Sequence, residues 1–259
     1  EIRPKVYQYF IESDTDGRPI NRIDRNTIYQ RSKKENDTMP FGTQMDVYAE
    51  GYEWTSHSVS PKNFHEMDHN PRILFGNKDC LQPYHASIYN ISAMSYGSLS
   101  SNAIEALNAG AKIGGFAHNT GEGGLSPYHL KHGGDVIWQI GTGYFGCRTE
   151  DGNFDENLFA EKAMLPNVKM IELKISQGAK PGHGGILPAI KNTVEIAAIR
   201  HIKPHTIVAS PPYHKAFNTP LEMVQFIKKL RDLSGGKPVG FKLCIGYKSE
   251  FIAVCQAMI

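Results

Sequence analysis

No apolar run in this 259-residue sequence approaches the roughly 20 residues that a membrane-spanning helix needs, and no signal-peptide pattern opens the chain. Neither charge sign dominates: 28 basic side chains stand against 26 acidic ones, a net charge of +2. So weak a field gives no means of gathering nucleic acid or an anionic membrane surface. Cysteine is scarce and scattered. Cys80, Cys147, Cys244 and Cys255 form no CxxC or Cys/His spacing, which argues against a zinc ribbon or a disulfide framework and points to a reducing, cytoplasmic setting. The 11 histidines include no HExxH or His/carboxylate pairing, so no metal site is expected. A GxSxG elbow is missing too, and no cysteine has an activating context, which weakens hydrolase readings.

What is present falls into two textures. Residues 1 to about 85 are polar and irregular, with turn signals at Asp16-Gly17-Arg18-Pro19 and Met39-Pro40-Phe41-Gly42. Recurrent aromatics (Tyr7, Tyr9, Phe10, Tyr29, Tyr48, Tyr52, Trp54) make this stretch an arm expected to pack on the main body. From about Ala86, short apolar strands alternate with Gly- or Ser-rich loops and helices. Strands are expected at Ile88 to Met94, Gly115 to His118, Val136 to Ile140, Met170 to Ser176, Thr206 to Ser210 and Val239 to Ile245. Helices are expected at Ser100 to Ala111, near Glu156 to Met164, and at Pro188 to Arg200. Another begins at Thr219 as N-cap, with Pro220 first and Glu222 closing a capping box, and the last is capped by Ser249. Such βα alternation implies an α/β fold with a parallel sheet, either open or closed into a barrel.

In either architecture functional groups gather at the carboxyl ends of strands. Four strand ends carry unusual loops: Ala93-Met94-Ser95-Tyr96-Gly97-Ser98, Asn119-Thr120-Gly121-Glu122-Gly123-Gly124, Gln177 to Gly185, and Ser210-Pro211-Pro212-Tyr213-His214. Their small residues let a backbone approach a flat ligand closely and present N–H donors. Glu122 and Lys180 each put one charge into a glycine-dense loop. His183 and His214 sit in these loops as well, most simply as solvated histidines. Gly141-Thr142-Gly143-Tyr144-Phe145-Gly146 matches GxGxxG after a strand. A polar turn follows it where the dinucleotide fingerprint needs a helix N-terminus, so a Rossmann site is not expected.

The four loops, in this order and spacing, resemble the synthase domain of glutamate synthase large subunits, over roughly residues 86 to 259. Tyr9-Phe10-Ile11-Glu12-Ser13-Asp14 and Pro40-Phe41-Gly42-Thr43-Gln44 resemble the segment before the barrel in stand-alone relatives that lack the amidotransferase domain. The resemblance implies a (β/α)8 TIM-type barrel that binds FMN, present here as a piece cut off after five or six strands. It further implies an oxidoreductase that reduces 2-iminoglutarate, formed from 2-oxoglutarate and ammonia, to L-glutamate. Ala93, Met94, Ser95, Asn119 and Gln177 would line the flavin, with Lys242 beside its N1 edge. Lys180 and Arg200 would take the substrate carboxylates, and Glu122 would orient the imine or relay a proton, which gives Glu122 and Lys180 catalytic roles.

One departure bears on the substrate. The family loop Lys-Pro-Gly-Glu-Gly-Gly-Gln is here Lys180-Pro181-Gly182-His183-Gly184-Gly185-Ile186, so a glutamine that contacts substrate in the family is replaced by Ile186. A different oxo or amino acid is therefore the alternative substrate, and a non-catalytic relative keeping the fold is the alternative to an enzyme. The family's three-cysteine iron–sulfur motif is absent from this chain, so no such cluster is expected from it. Implied partners are a small oxo acid and an electron-donor protein or reductase, with room for a homo-oligomer and none for nucleic acid.

Overall fold

A computed structural model describes residues 20, 22–36, 42, 46–175 and 184–259. The chain divides into two compact units, Glu1–Glu66 and Met67–Ile259. In the first unit the described residues form helix α1 (Arg22–Ser32) and a 3-10 turn at Phe64–Glu66. Tyr52 and Trp54 stack there with ring centroids 6.2 Å apart.

The second unit opens with an antiparallel pair, β1 (Arg72–Phe75) and β2 (Tyr84–Ser87). It continues with α2 (Ser101–Gly114), β3 (Ala117–Asn119), α3 (Pro127–Leu130), β4 (Asp135–Ile140), α4 (Glu156–Ala163) and β5 (Val168–Lys174). Then come β6 (Ile186–Leu187), α5 (Val194–Arg200), β7 (Val208–Ala209), α6 (Pro220–Leu233), β8 (Val239–Lys242) and α7 (Lys248–Met258). Strands β3, β4, β5 and β8 form one parallel sheet in that spatial order. Parallel neighbours in chain order, joined through helices, are the arrangement of a partial TIM-type barrel. No closed barrel exists among the described residues. No helix among them is long and apolar enough to cross a membrane.

Local chemistry sets the helix ends. Ser100 accepts the Ala103 N–H at the start of α2, and Gly115, at φ +63°, turns the chain left-handed after it. Asp155 caps α4 by accepting from the Asn157 and Leu158 amides. At α6 the expected capping box is in place, with Glu222 N–H donating to Thr219 Oγ1 and Thr219 N–H donating to Glu222 Oε2.

Side-chain alternation along the strands divides the sheet into two chemically different faces. Val136, Trp138 and Ile140 of β4 and Ile171 and Leu173 of β5 point into an apolar core closed by Phe159 and Ala163 of α4 and by Met223, Phe226, Ile227 and Leu230 of α6. Trp138 and Phe159 stack at 5.2 Å. The ladder register puts Asn119, Gln139, Glu172, Lys174 and Lys242 on the opposite face. That face is polar and lies where a barrel lumen would be.

The structure differs from the sequence reading in α1, β1 and β2, which form in the stretch read as irregular, in α3, which is not expected from the sequence, and at four further elements. The strand expected at Ile88 to Met94 contracts to a parallel bridge between Ile91 and His118. Asn90 interrupts it, because its amide donates to Ser87 O and its carbonyl accepts the Ala117 N–H. The helix expected from Pro188 becomes a 3-10 turn at Ala189–Lys191, then α5. Buried Asn192 donates to the carbonyls of Lys203 and Thr206, and Thr193 caps a fresh helix. Val208–Ala209 pairs antiparallel with Ile186–Leu187 away from the main sheet, so β8 lies directly beside β5 and the parallel sheet has four strands, not five or six. Finally, α7 begins at Lys248 with Tyr247 as N-cap, leaving Ser249 inside its first turn.

Candidate functional site

The strand ends on the polar face are tied together by side-chain hydrogen bonds. Asn119, the last residue of β3, donates to Glu172 Oε1 on β5 at 2.9 Å and accepts the Gly121 N–H at 3.0 Å. Gln139 of β4 donates to the same carboxylate oxygen. One carboxylate thus joins three adjacent strands. Beyond them, in the loop after β3, Glu122 accepts from Lys174 Nζ at 2.9 Å, an ion pair that is mostly buried. Lys174 ends β5, and its ladder partner is Lys242. Glycine at position 141 makes room for this pair: a Cβ there would lie 2.6 Å from Glu122 Oε2.

Arg200, the last residue of α5, turns its guanidinium into the same region and is only 6% exposed. Its Nη2 donates to the Tyr96 carbonyl at 3.1 Å and its Cζ lies 5.1 Å from the centre of the Phe145 ring. Burial works against its charge, while the Glu122 carboxylate favours it. Gly97 and Gly123 pack against the guanidinium so closely that a Cβ would come within 3.1 and 2.9 Å of Nη2. Arg200 Nε is buried with no hydrogen-bond partner among the described residues. Buried donors are nearly always paired, so this one marks a place for an acceptor. A cavity of about 80 Å³ adjoins it, with Ser95, Ser98, Glu122, Ile186 and Ser210 on its walls. The larger cavity between α6, α7 and the chain after β8, about 650 Å³, has no lysine or arginine among its described lining residues.

The loop after Ile91 is held from two sides. Met94 N–H donates to the Asn119 carbonyl at 3.0 Å. His129 Nε2–H donates to the Met94 carbonyl at 2.9 Å, while His129 Nδ1 accepts the Ser126 N–H at 3.2 Å. This pairing fixes the neutral tautomer, and burial holds the imidazole below its usual pKa. His118 lies beside it, ring centroids 5.2 Å apart, fully buried and with neither nitrogen hydrogen-bonded to a described residue. Burial, and then the neighbouring His129, push His118 down to about 4.

His214 is not the solvated loop histidine that the sequence suggests. It is 1% exposed, its Nε2–H donates to the Lys174 carbonyl at 2.8 Å, and Nδ1 lies 3.1 Å from the Tyr144 hydroxyl. That hydroxyl also accepts the Ala216 N–H, and burial pushes the phenol up to about 12. His214 and Tyr144 therefore lock the loop after β7 to the end of β5. Tyr144 belongs to the GxGxxG segment, has φ +49° and points into the core; the next helix is α4, which begins at Glu156. The segment serves as a packing turn and opens no helix.

Among the residues singled out from sequence, Ala93, Met94, Ser95, Asn119, Glu122, Arg200 and Lys242 lie in the strand-end region of the second unit. A hydrogen bond joins Met94 to Asn119, Lys174 joins Glu122 by an ion pair and Lys242 across the ladder, and Ser95, Glu122 and Arg200 line one cavity. Gln177, Lys180 and His183 lie outside the described residues, as do the Tyr9 to Asp14 motif and, apart from Gly42, the Pro40 to Gln44 motif. Sequence reasoning missed Lys174 and Glu172. Period-two alternation in Met170-Ile171-Glu172-Leu173-Lys174 places both opposite the apolar core, and that signal was available.

A family model described as the conserved region in glutamate synthase matches residues 22–258. The glutamate synthase large subunit-like protein YerD of Bacillus subtilis (strain 168) is 35% identical over 96% of this chain and 54% of its own length. The archaeal glutamate synthase (NADPH) of Methanocaldococcus jannaschii is 34% identical over 63% of the chain and 30% of its own length. The glutamate synthase (NADPH) large chain of Azospirillum brasilense is 33% identical over 58% of the chain and 9% of its own length. The chain thus spans about half the length of one of these relatives and less of the others. With the family model covering nearly every residue of the second unit, the chain belongs to the glutamate synthase family.

Proposed function

We propose that this chain contributes the synthase site of an FMN-dependent oxidoreductase that reduces 2-iminoglutarate, formed from 2-oxoglutarate and ammonia, to L-glutamate. The observation that carries the reading is the buried Nε of Arg200, without a partner among the described residues, beside a small cavity whose wall includes Glu122, the carboxylate paired with Lys174. An arginine fork facing a serine-lined cavity suits a carboxylate.

The residues present suit a flavin. Lys174 is paired with Glu122, while Lys242, its neighbour across the β5–β8 ladder at the strand ends, is the cation that would favour a reduced, anionic isoalloxazine. The Ala93 to Ser95 backbone and the Asn119 amide border the same polar face, and Gln177 is assigned there by family resemblance. Bound FMN supplies the hydride. The protein's own groups bind and orient the substrate: Arg200 takes one carboxylate, Lys180 the other, and Glu122 holds the imine nitrogen and exchanges the proton there. Lys174, by pairing with Glu122, keeps that carboxylate aimed. A reductase or electron-donor protein reloads the flavin.

Ile186 favours a second reading. It lies on the cavity wall, 62% exposed, and offers no hydrogen bond to a second carboxylate. A 2-oxo acid with a less polar side chain would suit that wall better. For either substrate, Arg200→Ala in the full-length protein should raise the KM for the oxo acid about ten- to a hundredfold while FMN stays bound, the loss of one charge-assisted contact. An unchanged KM would remove Arg200 from the substrate site.

A further inference from the structure

Residues outside the cavity hold Arg200 in place. The Glu195 carboxylate, on α5, accepts a hydrogen bond from each of two phenols: Tyr96 Oη at 2.6 Å on Oε2 and Tyr128 Oη at 2.6 Å on Oε1. The two rings lie against each other with centroids 4.7 Å apart. Tyr96 belongs to the loop after Ile91 and Tyr128 to α3, so one carboxylate joins three elements. Both short bonds have a charged acceptor, which makes them stronger than neutral ones. They hold the Glu195 carboxyl below the usual range and Tyr128 above its own, while burial first and then the bond to Glu195 raise Tyr96.

The backbone at the same point is gripped by Arg200, whose Nη2 donates to the Tyr96 carbonyl. Tyr96 is thus tied to α5 twice, by its side chain to Glu195 and by its main chain to Arg200. The residue after Tyr128 in α3 is His129, which holds the Met94 carbonyl of the same loop. Any slide of α5 along the loop would have to break the phenol contacts and shift the guanidinium together.

We propose that Glu195 is a positioning residue: by gripping Tyr96 and Tyr128 it fixes the first turn of the seven-residue helix α5, and through that short helix the Arg200 guanidinium at its last residue, against the loop that borders the cavity. This rests on reading Arg200 as the oxo-acid cation. Displacing a positioned group by about an ångström can cost up to a hundredfold.

Glu195 is exposed, so its replacement leaves the core intact. In the full-length, FMN-loaded protein, Glu195→Ala should raise the KM for 2-oxoglutarate roughly tenfold, with kcat within about twofold and the melting temperature unchanged. Glu195→Gln, whose amide still bridges both phenols, should recover most of that loss. Arg200→Ala is measured alongside. A KM raised by Arg200→Ala but not by Glu195→Ala overturns the clamp alone. A KM indifferent to both overturns the substrate-site reading and the clamp with it. Equal loss in Glu195→Ala and Glu195→Gln, accompanied by lower melting temperatures, reduces Glu195 to a structural contact.

Discussion

At the scale of single residues, the site depends on side chains that leave each other little room. Gly141 admits Glu122 because it has no Cβ, so Gly141→Ala should push the carboxylate out of line with Lys174 and lower kcat/KM at least tenfold, with flavin content unchanged. Activity like that of the parent would show that Glu122 can move without consequence. His118 supplies a pH test. Its nitrogens are buried without partners among the described residues and its folded pKa of about 4 lies below the ordinary 6.5, so the unfolded chain binds the proton more readily. Its contribution to stability is therefore complete above about pH 6.5. It declines as pH falls from there towards 4, by at most about 1.4 kcal/mol per pH unit for this one group. Denaturant unfolding at pH 7.5 and 5 should show the loss, and replacing His118 with Phe should shrink it; equal stability at both pH values would contradict the assignment. The loops that carry Met94, Asn119 and Glu122 were legible as strand-end loops because their small residues announce themselves, whereas Arg200, on a helix, was named only through the family resemblance. The buried roles of His118, His129 and His214 were not, since nothing local to a histidine reveals whether its nitrogens will find a carbonyl.

At the scale of elements, the strands and helices that build the polar face were mostly readable, because capping boxes and apolar periodicity are local signals. Thr219-Pro220-x-Glu222 gives the start of α6 directly. Failures occurred where one side chain redirects the chain. Asn90 cuts a strand to a bridge, and Asn192 splits a helix by bonding carbonyls 11 and 14 residues away. Placing Val208–Ala209 outside the main sheet required knowing that β8 pairs with β5, a contact across more than 60 residues that no window of sequence contains. The energetics of the face opposite the site belong to this scale too. Phe159 is fully buried and stacks on Trp138, so Phe159→Ala should cost about 3–5 kcal/mol and lower the melting temperature markedly. A loss below about 1 kcal/mol would mean that α4 is not anchored to the sheet through this pair.

At the scale of the whole molecule, a sheet with an apolar side sealed by α4 and α6 leaves its polar side for chemistry, and the charged residues of that side gather at the carboxyl ends of the strands. This is the usual division of labour in an α/β barrel, where the scaffold is packed and the loops react. Family membership covers the region as a whole, while the reaction rests on a few residues within it. The central claim is that these residues serve flavin-dependent reduction of a 2-oxo acid with ammonia. It is tested most directly by reducing the flavin of the full-length protein without oxygen and following its absorbance as oxo acid and ammonium are added. Reoxidation by 2-oxoglutarate plus ammonium, with glutamate formed, is the predicted result, and faster reoxidation by an oxo acid with an apolar side chain would select the reading favoured by Ile186. No reoxidation by any 2-oxo acid with ammonium, or a full-length protein that cannot be loaded with FMN, would contradict the account.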